Sequence, residues 1–135
     1  MGSRSMNIKG SVALVTGANR GLGLAYAQAL LDAGARKVYA AARDPSGITL
    51  PGVVPVRLDI TDADQVRSAA HGCADLDLLI NSAGVFQPQP FLGERAVDSA
   101  RAQLETNFFG MLAMARAFAP VLAANGGGAL VNVLS

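Results

Sequence analysis

The sequence predicts an α/β fold built on a doubly wound parallel sheet. Short apolar runs alternate along the chain with stretches of helical periodicity. The run at Val12–Val15 is unbroken, as a strand buried on both faces requires. The connections are short enough for right-handed crossovers. Such a sheet takes the strand order 3-2-1-4-5, with a ligand at the carboxyl ends of the strands where the winding reverses between strands one and four.

The elements follow in order. Val12, Ala13, Leu14 and Val15 form the first strand, and Leu22, Tyr26, Ala29, Leu30 and Ala33 recur at helical spacing behind it, with Gly34 as the cap. Residues 37–42 (KVYAAA) read as a second strand, ended by Arg43-Asp44-Pro45-Ser46-Gly47. Residues 53–58 (VVPVRL) read as a third, which Pro55 marks as an edge or irregular strand. Thr61, with Asp64 three positions on, has the pattern of an N-cap leading into Val66, Ala69, Ala70 and Cys73. The fourth strand, 76–80, ends at Asn81-Ser82-Ala83-Gly84, and Pro88 and Pro90 break the loop beyond.

From about Arg95 to Ala124 the pattern is one long helix. Leu104, Phe108, Met111, Leu112, Ala115, Phe118, Ala119 and Leu122 form an apolar stripe expected to face the core, and Pro120 is expected to bend the helix or end its regular part. After Asn125-Gly126-Gly127-Gly128, residues 129–134 (ALVNVL) form a fifth strand.

The stretch Thr16-Gly17-Ala18-Asn19-Arg20-Gly21-Leu22-Gly23 lies between the first strand and the first helix. A helix start leaves backbone N–H groups unpaired and carries partial positive charge, so a diphosphate can rest there if no Cβ blocks it. Gly17 allows the tight turn, Gly21 the close approach, and Gly23 the packing of helix on strand. The plainer alternative is a loop with helix-packing glycines.

Composition narrows the function classes. With a net charge of +1 and 16% charged residues, nothing points to a nucleic-acid or polybasic membrane surface. The single cysteine, Cys73, can form no internal disulfide and has no metal-ligand spacing; it and His71 read as ordinary helix residues, so no metal is expected. No apolar run is expected to reach bilayer length. The opening Met-Gly-Ser-Arg-Ser-Met lacks the apolar core of a signal peptide. Residues 1–6 read as a cloning leftover with Met6 as the native start, leaving one domain over 7–135 in a soluble, cytoplasmic protein.

The loop TGANRGLG resembles the cofactor loop of the short-chain dehydrogenases/reductases, Thr-Gly-x-x-x-Gly-x-Gly, and the resemblance extends from about Asn7 to the end of the chain. It implies a Rossmann-like domain in which Gly17, Asn19, Arg20, Gly21, Leu22 and Gly23 cradle a nicotinamide dinucleotide. Relatives that prefer NAD usually carry an acid at the end of strand two; here that position is Ala42, followed by Arg43. The pair Arg20 and Arg43 implies a preference for NADP(H) over NAD(H); otherwise they are two solvated surface arginines. Asp59 and Ile60 match the family's adenine-holding pair, although Asp59 could equally help start the next helix.

Asn81, Ala83 and Gly84 resemble the Asn-Asn-Ala-Gly segment beneath the cofactor, with Ser82 replacing the second asparagine; a strand-end turn would use the same residues. Asparagine suits a helix interior poorly, and packing or capping is at least as good a reading of Asn107 as catalysis. The resemblance implies that Asn107 kinks the helix and frees a carbonyl for a water in the proton relay. It also implies that Ser135 orients the substrate carbonyl, with Leu134 replacing a first serine; a serine at a strand end also suits a turn.

The family's proton donor lies in a Tyr-x-x-x-Lys motif a short way beyond Ser135. Tyr26 and Tyr39 are the only tyrosines, and neither has lysine four residues on. Strand five would also be left an exposed apolar edge. The expectation is therefore a domain incomplete at its C-terminus, truncated after strand five. It would be the N-terminal part of a reductase acting on a small carbonyl or alcohol, itself a homodimer or homotetramer through the long helix and the one after it. Two alternatives stand beside it: a non-catalytic NAD(P)-binding or regulatory module, and a fragment without cofactor affinity.

Overall fold

The structure, a computed structural model, describes residues 6–134. Ser135 and most of the expected N-terminal leftover lie outside the described residues. The elements are β1 (Val12–Thr16), α1 (Gly21–Asp32), β2 (Lys37–Ala42), β3 (Val54–Arg57), α2 (Ala63–Gly72), β4 (Leu78–Asn81), α3 (Ala96–Leu104), α4 (Met111–Ala124) and β5 (Ala129–Asn132). A π-helical segment, Glu105–Gly110, joins α3 to α4. The strands are all parallel in the order β3-β2-β1-β4-β5, the doubly wound order expected. Pro55 sits in the edge strand β3, opposite Ala40.

Val12–Val15 of β1 are apolar because both faces of the strand are covered. Val12 and Leu14 point into a cluster with Val66 and Ala69 of α2 and Met114, Phe118 and Leu122 of α4. Ala13 and Val15 point the other way, onto Ala27 and Leu30 of α1. Asp62, whose carboxylate accepts from Asp64 N–H and Gln65 N–H, caps α2, one residue later than the Thr61 expected. Both residues can cap a helix, so the pattern alone did not fix the register. β4 starts at Leu78 rather than Leu76, and β5 ends at Asn132.

Cys73 closes α2 and is buried, which pushes its thiol up to about 11. At mild alkaline pH little thiolate forms, so alkylation of the native chain should run about a hundredfold slower than of the unfolded chain. Thiol-reagent kinetics with and without denaturant measure this.

Two helix faces differ from expectation. α1 buries Gly23, Ala27 and Leu30, while Leu22, Ala29 and Ala33 are exposed. In the long helical run, Leu104 and Phe108 are each 54% exposed, and Leu112 is exposed too. Phe118 and Leu122 are buried as expected, joined by Met114, which the stripe did not include. The wider π-helical turns advance the facing of the helix, so a stripe counted through them at a constant period lands partly outside. The helix is interrupted there rather than at Pro120, which α4 passes on its exposed side before ending at Ala124. The whole run, Ala96–Ala124, also corrects the expectation about membrane-spanning length: by length and composition it reaches it, with a mean hydropathy of 1.4 in its most apolar window. Met114, Phe118 and Leu122 nevertheless pack on the sheet, as in the core helix of a globular domain.

Candidate functional site

The carboxyl ends of β1, β2, β3 and β4 open into one groove of about 530 Å³. The β1–α1 turn forms its centre. Gly17 and Gly21 have φ of +63° and +56°, values that favour glycine. A Cβ on Gly17 would lie 3.0 Å from Ala83 Cα, so the turns after β1 and β4 touch. A Cβ on Gly23 would lie 2.0 Å from the Gly17 carbonyl oxygen, so α1 starts pressed against the turn. A Cβ on Gly21 would meet nothing within 4 Å.

That open space faces the start of α1, where the first-turn N–H groups are presented. Arg20 occupies the N-cap without a side-chain hydrogen bond, and no acid sits in the first turn. The helix's positive end is therefore unneutralised by the chain, and the residues present fit an anionic group.

Thr16 ties the two turns together. Its buried hydroxyl oxygen accepts from Ser82 N–H and Ala83 N–H, both at 2.9 Å. Thr16→Val leaves two N–H groups without this acceptor and should lower stability by about 2 kcal/mol, whereas Thr16→Ser should restore most of it. Urea denaturation of the two variants checks this.

The flanking loops bring up charge. Arg20 and Arg43 both line the groove and are exposed, and among the described residues neither makes an ion pair. Arg57 donates to the Arg43 carbonyl at 3.3 Å, adding a third cation nearby. The carboxylates in the same region are engaged locally. Asp44 accepts from the Ser46 hydroxyl and N–H, which hold its carboxyl below the usual range. Asp59 likewise accepts from the Thr61 hydroxyl and N–H; the hydroxyl is the main cause of its lowered pKa, with the charge of Arg43 adding and burial opposing. Ile60 is buried beneath the π-helical segment, where a Cβ on Gly110 would come within 2.7 Å of it.

The sequence-selected residues thus fall into three groups. Gly17, Asn19, Arg20, Gly21, Leu22, Gly23, Arg43, Asp59, Ile60, Ala83 and Gly84 share the groove wall. Asn81 and Asn107 stand behind it. Asn81 is buried at the end of β4, donating to Asn132 Oδ1 at 2.9 Å, and its own Oδ1 has no partner among the described residues. Asn107 lies in the π-helical segment and holds both backbone groups of Val85: its Oδ1 accepts the N–H and its Nδ2 donates to the carbonyl, each at 2.8 Å. Ser135 lies outside the described residues. Sequence reasoning did not select Val85, Thr106 and Val133, which also line the groove, nor Gly110. The signal available for Thr106 was its place beside Asn107; a lone valine carries none.

Comparison with known proteins agrees with the fold. The family model described as short chain dehydrogenase matches residues 11–135. The chain is 36% identical to a D-erythrulose reductase of Gallus gallus, over 96% of this chain and 54% of the relative. It is 35% identical to a galactitol 2-dehydrogenase (L-tagatose-forming) of Cereibacter sphaeroides, over 93% of this chain and 53% of the relative. A crystal structure of a short chain dehydrogenase from Burkholderia cenocepacia in complex with NADP superposes with a TM-score of 0.90 at 52% identity, covering 96% of this chain and 55% of that one. The chain spans about half the length of the relatives it matches. On the matched segment, the fold and the groove, the chain belongs to the short-chain dehydrogenase family.

Proposed function

We propose that the chain is the cofactor-binding part of an oxidoreductase that uses NADP(H) in preference to NAD(H) on a small carbonyl or alcohol. The observation that carries this is the open, unneutralised start of α1 flanked by Arg20 and Arg43, with no ion pair to either arginine among the described residues. Gly17, Gly21 and Gly23 let the turn of Asn19, Arg20 and Leu22 hold the diphosphate. Arg20 and Arg43 receive the 2′-phosphate, Asp59 and Ile60 hold the adenine, and Asn81, Ala83 and Gly84 form the floor. Bound there, the nicotinamide would give or accept hydride. The complex of the Burkholderia relative with NADP supports the cofactor. The D-erythrulose and galactitol that give the other two relatives their names support the substrate class.

Asn107 and Ser135 are the catalytic candidates, the first by steadying the proton relay and the second by orienting the substrate carbonyl. The proton donor is supplied by neither tyrosine of this chain. Tyr39 OH donates to Asp75 Oδ1 at 2.8 Å and accepts from Lys37 at 3.1 Å, inside β2, while Tyr26 packs against the apolar cluster beneath α1. The chain alone should bind without reducing, and a Tyr-x-x-x-Lys segment should follow Ser135 in the whole protein. Reading the gene beyond Ser135 and assaying its product for NADPH-dependent ketone reduction tests this. A continuation without that segment, and with no turnover, leaves a binding module instead. The exposed apolar side chains Leu104, Phe108 and Leu112 favour a whole protein that is a homodimer or homotetramer.

A further inference from the structure

The inward face of α3 is polar, and what it meets is the backbone of the loop after β4, which is part of no strand among the described residues. Ser99 is buried and donates its hydroxyl to the Gln87 carbonyl at 2.8 Å. Gln103 Nε2 donates to the same carbonyl at 3.1 Å and to Ser99 Oγ at 3.0 Å. Asn107, four residues further, takes both backbone groups of Val85. Ser99, Gln103 and Asn107 thus form one helical stripe, which holds the backbone of Val85 and Gln87, alternate residues of that loop. The stripe satisfies backbone groups that a neighbouring strand would otherwise pair. Val85 lines the groove after β4, across β1 from Arg43 and Asp59.

We propose that Ser99 and Gln103 are positioning residues that hold the 85–87 segment as the groove wall at its nicotinamide end. This rests on the dinucleotide reading above. Neither side chain touches the groove; both act through the Gln87 carbonyl, and so through the backbone that carries Val85. Two donors on one carbonyl fix its direction more tightly than one.

The test compares two ligands that differ only at that end. The double variant Ser99→Ala/Gln103→Glu keeps the volume nearly unchanged but removes both donors. It is titrated with NADPH and with 2′-phospho-ADP-ribose, which lacks the nicotinamide, and hydrogen exchange is followed over residues 84–88. The expected result is about tenfold weaker NADPH binding, an unchanged affinity for 2′-phospho-ADP-ribose, and faster exchange in that loop. Ser99→Thr, which keeps the hydroxyl, should bind NADPH as the wild type does. Equal losses for both ligands would mean a general structural role and overturn the proposal, as would an unchanged NADPH affinity. If the wild-type chain binds neither ligand, the dinucleotide reading itself fails and this role falls with it.

Discussion

Gly23→Ala should destabilise the chain by about 3 kcal/mol and abolish dinucleotide binding. The new methyl would lie 2.0 Å from the Gly17 carbonyl oxygen, 2.6 Å from the Gly17 carbonyl carbon and 3.1 Å from the Thr16 carbonyl oxygen. All three are backbone atoms that cannot swing aside, so relief must come from lifting the start of α1 off the turn. That places the effect at the upper end of the usual overpacking range. Lifting the helix also moves the N–H groups that would hold the diphosphate.

Gly21→Ala gives the contrast. Its methyl meets no protein atom within 4 Å, but the residue has a φ of +56°. Left-handed strain should cost about 1–2 kcal/mol, and the methyl would stand where the anion approaches. The fold should survive while binding weakens at least about tenfold. Urea denaturation and NADPH titration of both variants separate the two effects. A Gly23→Ala chain as stable as the wild type would contradict the packing described.

The second large effect concerns cofactor choice. Ala42→Asp/Arg43→Leu should shift preference from NADPH toward NADH by about a hundredfold or more. Each charge-assisted contact to the 2′-phosphate is worth about 1.5–3 kcal/mol, and the new carboxylate at the end of β2 adds repulsion. Asp44 and Asp59 lie in the loops after β2 and β3, each with one carboxylate oxygen already held by Ser46 or Thr61. Arg57, donating to the Arg43 carbonyl, keeps positive charge nearby, so Arg43→Leu alone should shift the ratio less than the pair does. The ratio of the two dissociation constants, measured at one ionic strength because the contacts are screened by salt, decides it. An unchanged ratio would mean that Arg20 and Arg43 are only solvated surface groups.

Much of the architecture was legible because the relevant signals are local. The unbroken run at 12–15 demands cover on both faces, Pro55 favours an edge, and the glycines after Thr16 mark a turn. These three constraints already give the sheet its centre, one margin and its open end. The long helix was expected and is present, but the first part of its buried stripe was misread for an equally physical reason. Its π-helical segment changes the residues per turn without any glycine–proline signature, and so Leu104 and Phe108 turned outward while Met114 took the core. The roles of Ser99 and Gln103 were not legible either, since their partner is a carbonyl, which every residue carries. Asn107 looked out of place in an apolar helix; its side chain holds both backbone groups of Val85, a use the sequence did not indicate.

The most direct measurement is a titration of the isotope-labelled chain with NADPH, following backbone amide shifts residue by residue. Shifts concentrated at Gly17–Gly23 and at Arg43, with the sheet amides unmoved, are the expected result. Saturable binding whose shifts fall elsewhere on an intact fold, leaving the start of α1 untouched, would contradict the site.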